Sequence, residues 1–180
     1  MPRSPTRRIS RSPGRGWPPL GITLHETSDG ERLPFQDARF DLVISRHESY
    51  DPQEVFRVLK EDGRFITQQV GGLDNLELNQ ALEKEITYPF TNCSLTEDLT
   101  DLYDAGFIIE RAEKAALSSI FKDIGAVVYY LKAIPWQIPS FSLDTHAEAL
   151  IRLHNIIERQ GTFEATAHRF LILAQKKGSS

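Results

Sequence analysis

Residues 29–70 read DGERLPFQDARFDLVISRHESYDPQEVFRVLKEDGRFITQQV, and this stretch decides the fold. It passes from an acidic turn at Asp29-Gly30 through a Leu33-Pro34-Phe35 step into a compact apolar strand, Arg39 to Ser45. Leu42, Val43 and Ile44 run together there, as in a strand covered on both faces. Asp51-Pro52 supplies a helix N-cap with proline at the first helical position, and Val55, Phe56 and Leu59 share one face of the helix that follows. An Asp62-Gly63 turn leads into a second strand, Arg64 to Val70, which Gly71-Gly72 breaks. Strand, helix, strand is the βαβ unit.

The alternation continues downstream. Asn75 to Glu85 predicts a weaker helix. Ser94 with Glu97 forms a capping box, and Leu95, Leu99, Leu102 and Tyr103 line the helix it opens until Gly106 stops it. Phe107 to Lys114 predicts a strand. Residues 123–134 predict a helix with Ala126, Val127, Tyr130 and Leu131 on its apolar face, ended by Pro135. Thr145 to Gln160 carries the clearest helical spacing, Leu150, Leu153 and Ile157. A last strand begins near Phe163, with its apolar run from Phe170 to Ala174. Strands alternating with helices predict an α/β domain built on a mainly parallel sheet.

Upstream the composition changes. Residues 1–20 are rich in Arg, Ser, Pro and Gly with almost nothing to bury, and predict a disordered basic tail. The domain proper is expected over 21–176, with a short tail at 177–180. Five arginines and no acid stand in residues 1–15, although Pro2, Pro5 and Pro13 would interrupt the amphipathic helix of a transit peptide. The remaining residues carry 16 basic and 25 acidic side chains. A body that acidic is a poor match for nucleic acid, whose affinity comes from Lys and Arg. No apolar run approaches the roughly 18 residues of a membrane span. The lone Cys93 makes no internal disulfide, and no Cys/His spacing suggests a metal. A reducing, cytoplasmic setting is expected.

In motif order and spacing, residues 29–70 resemble the middle of the class I S-adenosylmethionine-dependent methyltransferases of the type 11 group. More loosely, the resemblance extends to Lys176. It implies a Rossmann-like sheet with one reversed strand near the C-terminus, S-adenosylmethionine as cofactor and a small-molecule methyl acceptor. Under it Asp29 and Gly30 lie beside the adenine, while Ser45 and Arg46 flank the methionine part of the cofactor. His47 becomes a general base, for which an imidazole is suited near neutrality, and Glu48 orients it or pairs with Arg46. Read from the residues alone, Asp29-Gly30 is equally a surface turn, and Ser45 to Glu48 a solvated loop with an ion pair. Gln68 and Gln69 must point to opposite faces of the sheet. Trp136 and Phe141 stand as an apolar lid or a core plug; His154 and His168 read as structural.

The family pattern also calls for a first strand ending in a Gly-rich loop that wraps the cofactor. Only 28 residues precede Asp29, and Gly14-Arg15-Gly16 has no strand before it. The expectation is therefore an N-terminally truncated domain that lacks the first strands of the usual seven-stranded sheet. Such a chain should bind S-adenosylmethionine weakly or not at all, and should self-associate through an exposed strand 39–45, relieved by a charge at Val43. The alternative is a non-catalytic domain acting as an interaction module.

Overall fold

A computed structural model describes residues 20–25, 27, 31–85 and 94–178. The expectations for Asp29, Gly30, Cys93 and the tail before Leu20 lie outside them. The elements in chain order are β1 (Phe40–Arg46), α1 (Pro52–Val58), β2 (Leu59–Val70), α2 (Leu76–Leu82), α3 (Leu95–Asp104), β3 (Phe107–Phe121), α4 (Ile124–Ala133), α5 (Ala147–Gln160) and β4 (Phe163–Lys176).

Local chemistry places the helix starts. Asp51 accepts from the N–H of Gln53 at 2.8 Å, Ser94 from that of Glu97 at 3.3 Å, and Asp123 from that of Ala126 at 2.8 Å. Each satisfies a donor that the first helical turn leaves free, worth about 1 kcal/mol. Gly106 and Gly161 end α3 and α5 at positive φ. The Asp62-Gly63 turn survives as an irregularity within β2. Asp62 has φ 61, and the pairing jumps from Phe40 with Leu59 to Leu42 with Arg64.

The sheet order is β1-β2-β4-β3. β1 pairs parallel with β2, while β4 runs antiparallel to both β2 and β3. Three strands thus share one direction, with the reversed strand near the C-terminus inserted between two of them. The expectation of a mainly parallel sheet holds for strand direction and fails for pairing: one of the three pairings is parallel. β3 also runs seven residues past Lys114, the expected end. Ala115-Ala116-Leu117-Ser118-Ser119 has little intrinsic strand preference, and continuous pairing with β4 carries it.

Side chains alternate across a strand, so β4 can serve two cores on opposite faces. Phe170, Ile172 and Ala174 point to one face and join Val55, Leu59, Phe65, Leu95, Leu102 and Phe107 beneath α1 and α3. Ala165, of the other parity, joins Phe121 with side chains of α2, α4 and α5. The two cores are therefore offset along the sheet.

This offset leaves part of the second face open. Ile44 pairs with Ile66 and Ile66 with Leu173, so all three project from the face opposite Phe65. Leu42 is 47% exposed and Ile44 65%. The expectation that Leu42, Val43 and Ile44 are covered on both faces is thus corrected. Val43 alone packs against a core, that of Phe65, while among the described residues no helix shields the other two.

Candidate functional site

In open α/β sheets, ligands bind beyond the carboxyl ends of the parallel strands. Here those ends are Ser45 to Glu48, where β1 runs out, and Gln69 to Gly72, where β2 does. The loop after β1 is tied to β2. Ser45 Oγ donates to the Glu48 carbonyl at 3.2 Å, and Gln69 Nε2 donates to that carbonyl at 3.0 Å and to Thr67 Oγ1 at 2.8 Å. The His47 N–H donates to the Gln68 carbonyl at 2.9 Å, with His47 at φ 58. A left-handed, non-glycine residue is uncommon, and histidine adopts it more readily than most; Ala38, Asp62 and Asn75 share it in this chain.

Gln68 and Gln69 do point to opposite faces. Gln68 Oε1 accepts from Arg46 Nε at 2.9 Å on the open face. Arg46 therefore turns to Gln68 rather than to Glu48, and among the described residues the Glu48 carboxylate makes no hydrogen bond or ion pair. Nothing in this geometry has Glu48 orient His47. Partial desolvation, with Arg169 and Arg46 adding to it, pushes the His47 imidazole below its ordinary range, against an opposing pull from Asp74. That direction favours the neutral imidazole, the form able to accept a proton.

Beside these residues lies a polar network that the sequence reading missed. Asp74 Oδ1 accepts from Arg169 Nη1 and, at 2.9 Å, from the His168 N–H; its Oδ2 accepts from Asn75 Nδ2 at 2.9 Å. Asn75 Nδ2 also donates to Tyr130 Oη at 2.5 Å, and Gln137 Nε2 donates to the Asp74 carbonyl at 2.9 Å. Burial, with Asp74 adding to it, pushes the Tyr130 phenol up to about 12. Asn75 is only 1% exposed, and its Oδ1 has no partner among the described residues; neither does His168 Nδ1. The His168 ring leans on Gly71, where a Cβ would fall 2.1 Å from Nδ1, so any side chain there would have to displace the ring. A signal for the network was present: Asp74-Asn75 behind a glycine pair, and a charge at Arg169 directly before the apolar run.

Of the two readings for Trp136 and Phe141, lid or core plug, Phe141 follows the second. Trp136 is exposed, Phe141 lines the second core, and the buried plug between α4 and α5 is Ile138. His154 is exposed, 3.9 Å from Glu158.

The residues present fit part of an S-adenosylmethionine site. Arg46 has outer N–H groups left over from its bond to Gln68, as a carboxylate would require. The adenine end would fall on Asp29 and Gly30, outside the described residues. Among the described residues no group of His, Cys, Asp and Glu is arranged to hold a metal ion, and no helix is long and apolar enough to cross a membrane.

No protein-family model matches the chain, and no curated protein matches it. Solved structures do. A proposed methyltransferase of Bacillus halodurans C-125 is similar over 88% of this chain and 73% of its own, at 17% identity and a TM-score of 0.57. The YcgJ protein of Bacillus subtilis is similar over 82% of this chain and 68% of its own, at 18% identity and a TM-score of 0.51. At such identities the likeness is one of architecture. The chain has the Rossmann-like fold of the class I methyltransferases.

Proposed function

We propose that the cleft at the carboxyl ends of β1 and β2 serves S-adenosylmethionine-dependent methyl transfer to a small-molecule acceptor. The observation that carries this reading is a polar cluster, with a left-handed histidine at its centre, at the place where this fold binds ligands. Bound S-adenosylmethionine would supply a methyl group on an excellent leaving group, so the protein's task is mainly positioning and desolvation. Arg46 would hold the methionine carboxylate, with Ser45 keeping the loop in place behind it. Asp29 and Gly30 would face the adenine. His47 would take the proton from a hydroxyl or amine acceptor.

Calorimetry with S-adenosylmethionine is the first test. Weak binding, at about 10 μM or above (some −7 kcal/mol), is expected. With any accepted substrate, His47→Ala should then lower kcat far more than it raises KM. Equal kcat for variant and parent would remove His47 from the chemistry.

A second reading has its own observation, the exposure of Leu42 and Ile44 on an edge strand. Under it the chain is an interaction module that pairs through β1, with a second copy as its simplest partner. No heat with millimolar S-adenosylmethionine, together with a concentration-dependent sedimentation coefficient, would favour it.

A further inference from the structure

The network around Asp74 contains one cation that its hydrogen bonds do not use up. Arg169 commits Nη1 to the Asp74 carboxylate and to the His168 carbonyl at 2.8 Å. Nε and Nη2 have no partner among the described residues. The side chain is 21% exposed and that of Asp74 10%, so the guanidinium is anchored from behind and open in front. An arginine held in this way is pre-organised to receive a carboxylate or a phosphate through paired N–H groups.

Its position is as telling as its bonding. Arg169 pairs with Val70, the last residue of β2, and its parity places it on the same face as Ile66 and Leu173. On the other side of β2, the His47 N–H is bonded to Gln68. Two strand spacings, about 10 Å, separate the backbones of His47 and Arg169, within the combined reach of the two side chains. The charged groups acting on His47 are Arg169, Arg46 and Asp74, and Tyr130 from α4 feels the same Asp74 and Arg169. With Arg46 assigned to the cofactor and Asp74 bound to Nη1, Arg169 is the remaining cation whose charge acts on the imidazole.

We propose that Arg169 recognises an anionic group, a carboxylate or a phosphate, on the methyl acceptor and holds it beside His47. This rests on the methyltransferase reading and narrows it: the acceptor is an acid or a phosphorylated molecule rather than a neutral or cationic one. Asp74 is a positioning residue, since it acts through Arg169. Gly71 and His168 set the backbone from which the pair is held.

The test needs neither cofactor nor acceptor. Inorganic phosphate in one arm and acetate in the other are titrated into the full chain. The His47 ring resonances, assigned by their loss in His47→Ala, are followed by NMR. A saturable shift is expected, stronger in the arm that matches the acceptor's own anion, with Arg169→Gln weakening it about tenfold or more. Should Arg169→Gln fail to fold because Asp74 is left unpaired, Asp74→Asn combined with Arg169→Gln removes both charges and carries the same expectation. Equal affinity in parent and variant, or no saturable shift in either arm, would overturn the proposal. Calorimetry with S-adenosylmethionine alone keeps the two failures apart. Cofactor binding without anion binding leaves methyl transfer standing and removes the role of Arg169. Anion binding without cofactor binding does the reverse.

Discussion

The two faces of one sheet differ in what they ask of their residues. Beneath α1 and α3, Phe65 is fully buried, edge-to-face with Tyr50 at 4.9 Å, and Thr67, Ile172 and Ala174 are shut off with it. One peptide away, Ile44 and Leu42 face outward on the opposite side. Identical chemistry, a run of aliphatic residues in a strand, ends in two environments because helices cover one side of β1 and β2 and, among the described residues, not the other. Burial here follows from the connections, and hydrophobicity alone does not decide it.

Substitution separates the faces most sharply. Phe65→Ala should cost about 3–5 kcal/mol, the transfer loss plus the cavity it leaves. Ile44→Ala should stay within about 1 kcal/mol, since the side chain is mostly exposed already. Urea denaturation of the two variants compares them directly. A cost above about 2 kcal/mol for Ile44→Ala would mean that something covers the second face after all.

Charge substitutions probe the same contrast along β1. Val43 and Ile44 are neighbours with opposite orientations, so the expected remedy for self-association moves by one residue. Ile44→Lys should make the chain more monodisperse, because an inward-facing edge is best blunted by a charge on its open side. Val43→Lys should unfold it, because the ammonium would enter the core of Phe65 unpaired. Sedimentation velocity at several concentrations, paired with circular dichroism, reads both. A stable parent monomer with an unaltered Ile44→Lys would show that the strand is not an association surface.

Much of this was legible beforehand. Asp51 and Ser94 announced their helices because a cap is a local event, decided within four residues. α5 showed its period plainly, and β4 its apolar run. What was hidden depended on partners distant in sequence. β3 outran its propensity because β4 runs beside it for its whole length, and the second core arose because β4 changes its covered face midway. At the candidate site, Ser45, Arg46 and His47 were singled out from position in the fold. Arg169 and Asp74 were not, because a contact across 95 residues leaves no spacing to read. Glu48 stood beside His47 in sequence, which says nothing of contact where the chain bends through a left-handed residue.

Gly71→Ala tests how tightly the site is built onto the sheet. The new methyl would collide with the His168 ring, and overpacking of this kind costs about 1–3 kcal/mol. The collision should also disturb the Asp74 and Arg169 pair, since Asp74 accepts from the His168 N–H. Thermal unfolding with and without phosphate reads both effects. A Tm equal to that of the parent would mean that the His168 ring swings aside freely.

The smallest expected effect is a pH response, and it lies wholly on the covered side. Arg57 leads in holding Glu54 down to about 2, and the Leu33 N–H adds to this. A carboxylate depressed in the folded state stabilises it above the ordinary value near 4.5, and that contribution drains away as the pH falls toward 2. Asp98 has the opposite sign. Burial raises its carboxyl, against the hydrogen bond from Tyr50, so the folded state takes up a proton more readily than the unfolded chain. Its contribution is fully present below the ordinary aspartate range and is lost as the pH rises through the folded value. The two partly cancel in mild acid. Glu54→Gln should therefore flatten the fall in stability between about pH 4.5 and 2, and Asp98→Asn should steepen it. Urea midpoints measured at intervals across that window distinguish them, and parallel curves for parent and both variants would show that neither carboxyl is coupled to folding of the covered face.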